Sequence, residues 1–197
     1  IHGKDRVEGV TIAQVDENRR PIEGTREYIP CDTLLLSVGL IPENELSKCA
    51  NVELCSTTNG AIVDQDRQTS VEGIFACGNV LHVHDLVDFV SNEAEIAGKA
   101  AADYINNIQP DKTAITIHTD GKIRYTVPQM ITKKKDVTVY FRVGDVYKNV
   151  KINVTSGDKV LISKRRPKVA PGEMESITIK GDQLENVKDL QFSLEML

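Results

Sequence analysis

The stretch TSVEGIFACGN, residues 69–79, decides how the rest of the chain is read. Thr69, Ser70, Val71, Glu72 and Gly73 form a turn that feeds a short buried strand of Ile74, Phe75, Ala76 and Cys77. The strand stops at Gly78, where the absence of a Cβ lets the backbone come close to a ligand. Asn79 follows with a short side chain that both donates and accepts hydrogen bonds. A strand, a glycine, a polar residue and then the start of a helix make a site for an anionic or polar cofactor.

That helix is expected over residues 86–105. Val87, Val90, Ala94, Ala97, Gly98, Ala101 and Ile105 recur at three- and four-residue spacing and define one face. Most of that face is small, so the helix backbone can pack close to a neighbouring element. Residues 106–111 (NNIQPD) end the helix and read as a linker. Before the motif, residues 7–15 alternate as a half-buried strand, Asp16, Glu17 and Asn18 supply a turn, and the chain returns over 25–29. The continuous apolar run at 31–39 (CDTLLLSVG) suits a strand covered on both faces. Residues 60–64 and 73–77 are further short strands.

Beyond residue 113 the helical period disappears. Seven alternating runs, at 114–118, 122–127, 137–143, 150–154, 159–163, 175–179 and 190–194, are separated by turn pairs such as Asp120-Gly121 and Gly144-Asp145. Evenly spaced strands with such turns predict a small antiparallel β-sandwich. The boundary is placed at Pro110–Thr113. The fold class is therefore α+β and mostly β. Residues 1–110 form an incomplete Rossmann-like nucleotide-binding portion with one long helix, and residues 113–197 form the sandwich.

Composition removes several alternatives. The chain has a net charge of −5 over 197 residues, which argues against a nucleic-acid surface. Lys133-Lys134-Lys135 and Lys164-Arg165-Arg166 read as solvated turns. No apolar run reaches the ~18 to 20 residues of a membrane-spanning helix, and the N-terminus lacks the layout of a signal peptide. The 4 cysteines, Cys31, Cys49, Cys55 and Cys77, form neither a C-x-x-C pair nor a metal-ligand spacing. Inert buried thiols and a cytoplasmic location are expected.

The motif at 69–79 resembles the second FAD-binding motif of the pyridine nucleotide–disulfide oxidoreductase superfamily, which ordinarily ends in Gly-Asp. In that family the acid contacts the ribityl chain of the flavin; here Asn79 stands in its place and carries no charge. Residues 32–44 (DTLLLSVGLIPEN) are similar to the crossover from the NAD domain back to the FAD domain. Residues 7–29 resemble the last β-excursion of the NAD domain, and 80–88 resemble a subgroup of NAD(FAD)-dependent dehydrogenases with an appended β-domain. The resemblance implies a flavin-dependent enzyme that passes electrons between NAD(P)H and an unknown acceptor through FAD. No G-x-G-x-x-G occurs in the chain. The expectation is thus a C-terminal fragment, inactive alone, whose pyrophosphate cradles and catalytic residues lie upstream of Ile1.

The resemblance implies that Gly78, Asn79, Ser91 and Asn92 contact FAD. Ser91 and Asn92 are alternatively simple capping or solvated residues, and Asp88 is a candidate N-cap. His82 and His84 share a face, but no third ligand follows at fixed spacing, so no metal is expected; they are either flavin-proximal or ordinary loop residues. Cys77 reads as a small buried hydrophobe. The expected partners are FAD, a nicotinamide nucleotide, and a partner subunit or a second copy of the chain. The rival reading is a non-catalytic interaction module whose sandwich docks a partner subunit.

Overall fold

The computed structural model describes residues 1–37, 39–108 and 114–197. The chain divides into two compact units, Ile1–Gly39 and Leu40–Leu197. In the first, β1 (Gly9–Ile12) pairs antiparallel with β2 (Glu27–Pro30), the hairpin expected from alternation, with β2 ending one residue later. Asp16 closes the connecting turn: its Oδ1 accepts the backbone N–H groups of Asn18 and Arg20 at 2.9 and 2.8 Å.

The run at 31–39 does not form the expected strand among its described residues. Leu35 is 90 % exposed and Leu36 68 %. The reason is physical: apolar character favours burial, but a strand also requires a neighbouring ladder for its N–H and C=O groups. No described strand pairs with this run.

The second unit begins with α1 (Glu45–Cys49) and a series of isolated bridges, Leu54↔Ala61, Val63↔Thr69 and Gln68↔Phe75. The strands expected at 60–64 and 73–77 are thus reduced to single bridges around tight turns. Asp64 shapes one of these turns by accepting the N–H groups of Asp66 and Gln68 through Oδ1. A 3-10 turn, Gly78–Val80, leads to α2 (Val87–Ile105), one residue shorter than the periodicity indicated. Its N-cap is Leu86, and Asp88 lies inside the first turn, so Asp88 is not the cap. The buried residues of α2 are Glu93, Ala97 and Ala100, spaced four and three apart. Val87 and Ile105, on the face expected to be buried, are 74 % and 76 % exposed.

The remaining strands are β3 (Ile115–Thr119), β4 (Ile123–Val127), β5 (Met130–Ile131), β6 (Val137–Val143), β7 (Tyr147–Ser156), β8 (Lys159–Val169), β9 (Glu175–Ile179) and β10 (Asp189–Met196). They form a five-stranded sheet in the order β5-β3-β10-β7-β8 and a three-stranded sheet in the order β4-β6-β9. All pairings are antiparallel except β3 with β10, which run parallel, so the larger sheet is mixed. Buried residues of both sheets belong to one cluster, including Val139, Phe141 and Ile177 from the smaller sheet and Ile152, Val154 and Phe192 from the larger. Phe141 meets Phe192 edge to face with centroids 5.7 Å apart.

Lys164, Arg165 and Arg166 lie within β8, not in a turn. β8 is a sheet edge, and its charges with Pro167 discourage pairing by another chain. The expected boundary at Pro110–Thr113 lies outside the described residues. Contacts nevertheless join residues on its two sides. Val63 N–H donates to Gln129 Oε1 at 2.9 Å, Gln129 N–H donates to Val63 O at 3.1 Å, and Lys133 Nζ lies 2.5 Å from Asp66 Oδ2. Among the described residues no helix is long and apolar enough to cross a membrane.

The core assignment predicts a large difference between neighbouring strands. Ile152→Ala, at a fully buried position, should cost ~2 to 5 kcal/mol in urea unfolding. Val160→Ala, at a position 58 % exposed, should change stability by no more than ~0.5 kcal/mol. Equal losses would place the core elsewhere.

Candidate functional site

The motif reaches its site through a change of backbone hand. Cys77 is extended, with φ −149° and ψ 160°, and Gly78 then turns to φ +76°, a region that L side chains rarely adopt. A Cβ on Gly78 would meet Val90 Cγ1 of α2 at 3.1 Å, so the glycine also allows the helix to sit close. The loop that follows is clamped from below. Asn44 Nδ2 donates to Val80 O at 2.8 Å and to Asn59 O at 2.9 Å. Gly60 lies so near Leu81 that a Cβ there would come within 1.8 Å of its carbonyl oxygen. Asn79 Oδ1 accepts the backbone N–H of His84 at 3.1 Å, which orients the side chain and leaves its amide nitrogen as a donor.

Beneath the loop lies a buried polar centre. Glu93 Oε1 accepts from Arg67 Nε at 2.9 Å, and Oε2 accepts from Gly78 N–H at 2.7 Å. Oε2 is also hydrogen-bonded to His84 Nε2 at 3.0 Å, and His82 Nε2 lies 3.6 Å from Oε1. The side chains of Arg67, Glu93 and His82 are each 1 % exposed. The two imidazoles stand edge to face with centroids 4.3 Å apart, and His82 meets the rings of Tyr125 and Tyr140.

Burial pushes the Glu93 carboxyl up, but the two imidazoles and the Arg67 guanidinium outweigh it and hold the group far below the ordinary carboxylate range. For His82 burial dominates and lowers the imidazole pKa despite the carboxylate. The Cys77 thiol is raised by burial and then by Glu93. It is partly exposed, as are Cys31 and Cys55, and Cys49 is exposed, so the expectation of buried cysteines is corrected.

Of the sequence-predicted residues, Gly78 and Asn79 sit together at the mouth of the loop, with Gly78 against Val90. Ser91 and Asn92 are exposed in the second turn of α2, so neither is a cap. Neither makes a side-chain hydrogen bond among the described residues. Glu93 and Arg67 were missed. Glu93 could have been found as a charged residue four positions before Ala97, on the same helical stripe.

The loop is also tied to the β-strands. Asp85 Oδ1 pairs with Arg142 at 2.5 Å, and its Oδ2 accepts Met174 N–H at 2.7 Å. Arg142 further donates to Val83 O and Pro171 O.

The family model described as pyridine nucleotide-disulphide oxidoreductase matches residues 3–109, more than half of the chain. The chain belongs to this family. Curated relatives include a probable ferredoxin reductase of Castellaniella defragrans, 29 % identical over 120 residues, covering 55 % of this chain and 29 % of the relative. A thioredoxin reductase of Treponema pallidum is 30 % identical over 110 residues, covering 55 % of this chain and 33 % of its own length. Putidaredoxin reductase of Pseudomonas putida is 30 % identical over 99 residues, covering 47 % and 22 %. The chain thus spans at most about a third of the curated relatives it matches. No solved structure matches it. The family and these relatives are oxidoreductases, and family members bind FAD and nicotinamide nucleotides in their full-length forms.

The Asp85 contacts set a pH dependence. Burial raises the Asp85 carboxyl, but Arg142 and the Met174 N–H outweigh this and hold it below the ordinary aspartate range. Its stabilisation is therefore present above the unfolded-state value and lost as pH falls through the lower folded-state value. With the side chain 34 % exposed, screening limits the contribution to ~1 kcal/mol. Asp85→Asn should lower stability by about that amount at neutral pH and by almost nothing near pH ~2. Urea midpoints of both proteins at the two pH values check this; an equal gap at both would contradict it.

Proposed function

We propose that this chain supplies the flavin-side wall of an FAD-dependent oxidoreductase that passes electrons between NAD(P)H and an acceptor. The observation that carries the reading is the Gly78–Asn79 turn: a left-handed glycine, then an oriented amide, inside the region that matches the family. Asn79 would hold the ribityl or pyrophosphate portion of FAD through its amide nitrogen. Ser91 and Asn92, exposed on α2, would face the cofactor further along. Leu86, the N-cap of the 19-residue α2, makes no side-chain capping bond, so the helix N-terminus presents backbone N–H groups to a polar ligand. The flavin, once bound, carries the electron transfer; these residues bind and orient it.

We assign the remainder of the cofactor site to sequence outside residues 1–197, because the chain contains no G-x-G-x-x-G. The exposed Leu40, Ile41, Leu86 and Val87 support this, since apolar groups at 57 to 87 % exposure, Leu46 among them, call for a cover. Residues 113–197 are read as an appended β-sandwich domain, supported by the end of the family match at residue 109 and by the shared core of the two sheets. The acceptor is read as a protein electron carrier, because the relatives are named as reductases of ferredoxin, thioredoxin and putidaredoxin. A cytoplasmic location accords with this reading.

Residues 1–197 alone should bind FAD no more tightly than micromolar, which isothermal titration checks; submicromolar binding would contradict the division of the site. In the protein expressed from its complete gene, Asn79→Ala should weaken FAD retention about two- to tenfold, the equivalent of one neutral hydrogen bond at ~0.5 to 1.5 kcal/mol. Asn79→Asp keeps the oxygen that caps His84 N–H and separates loss of that cap from loss of the cofactor contact. Lys159→Ala, at an exposed strand end, should leave the FAD-to-protein ratio unchanged after dialysis. If Asn79→Ala retains FAD as wild type does, the contact is wrongly assigned.

A further inference from the structure

We propose that His82, His84 and Glu93 form a binding site for one divalent transition-metal ion, adjoining the proposed flavin contacts at Gly78 and Asn79. Their ligand atoms lie within 4.8 Å of one another, and all three residues are buried. Two imidazoles and a carboxylate are a donor set suited to zinc, cobalt, nickel or iron(II), and poorly suited to magnesium or calcium. Ligands at ~2.0 to 2.2 Å from a tetrahedral ion stand about 3.3 to 3.6 Å apart. Here His84 Nε2 is 3.0 Å from Glu93 Oε2, and His82 Nε2 is 3.6 Å from Oε1, so small rotations bring the three donors onto one ion.

A second observation is independent of that convergence. Both nitrogens of His82 and Nδ1 of His84 are buried with no hydrogen-bond partner among the described residues. Buried polar atoms are ordinarily satisfied, and an imidazole whose nitrogens make no hydrogen bond is available as a ligand. His82 is 1 % exposed and points toward the carboxylate. The carboxylate is itself held by further donors, Arg67 Nε on Oε1 and Gly78 N–H on Oε2, as ligating carboxylates are. Binding requires both imidazoles neutral, with the Nε2 proton of His84 moved to Nδ1 or released to solvent. The Arg67 charge opposes the cation, so moderate affinity is expected, with the open position of a three-ligand site.

The proposal does not depend on the flavin reading and is tested on the chain itself. After dialysis against a chelator, the protein is titrated with Co²⁺ and followed by visible absorption, with metal content measured after Zn²⁺ loading and gel filtration. The expected result is one ion per chain, a Co²⁺ ligand-field band, and a rise in unfolding temperature with added Zn²⁺. His82→Phe should weaken binding at least tenfold while its chelated form still folds, because the His82 side chain makes no hydrogen bond to lose. If His82→Phe does not fold, the imidazole resonances of the wild type decide: Zn²⁺ must shift those of His82 and His84. No Co²⁺ band, substoichiometric metal, or unshifted imidazole resonances would overturn the site, as would binding unchanged in a folded His82→Phe.

Discussion

A carboxylate buried as deeply as Glu93 persists only where its charge and both its oxygens are answered. The answers come from three separate stretches of chain. Arg67 belongs to the turn before the motif, Gly78 is the motif's own glycine, and His84 closes the loop that follows. Removing one member of such a buried pair leaves a charge without compensation, at a typical cost of ~3 to 5 kcal/mol. Glu93 therefore fixes where α2 lies against the 78–84 loop, and with it the direction in which Asn79 faces. The left-handed turn at Gly78 and the small side chains of Ala97 and Ala100 bring the helix near enough for this to happen.

The legible parts of the fold are those where a local pattern and its tertiary partner agree. β6 and β9 occupy the very residues that alternation indicated, because Val137, Val139, Phe141 and Val143 all point into one core. The motif at 69–79 was readable for a different reason: Gly78 and Asn79 are required by backbone conformation and hydrogen bonding, which the residue types announce. The run at 31–39 misled because apolarity says nothing about whether a neighbouring strand is present. The parallel pairing of β3 with β10 joins opposite ends of the β-rich segment and leaves no local trace. β5, two residues long, is too short to show a period.

The polar centre was only half legible, and the cause lies in how periodicity is counted. His82 and His84 stand two residues apart, which the sequence displays directly. Their carboxylate partner comes from the second turn of α2, and its place on the buried stripe was hidden because only apolar residues were counted there. Arg67, at φ +67° in the turn that Asp64 shapes, was invisible because a charged residue in a turn gives no sign of being buried. The proposed cofactor wall and the polar centre meet at Gly78, whose N–H serves Glu93 while its missing side chain serves α2. The loop that carries the motif is thus set on a scaffold whose decisive residue is charged and concealed.

The most direct measurement is the visible absorption of the protein expressed from its complete gene, recorded before and after anaerobic addition of NADH or NADPH. A flavoprotein of this family should show the oxidised-flavin band as purified and lose it when reduced by one of the two nucleotides. A colourless protein that acquires no band after incubation with FAD would contradict the account.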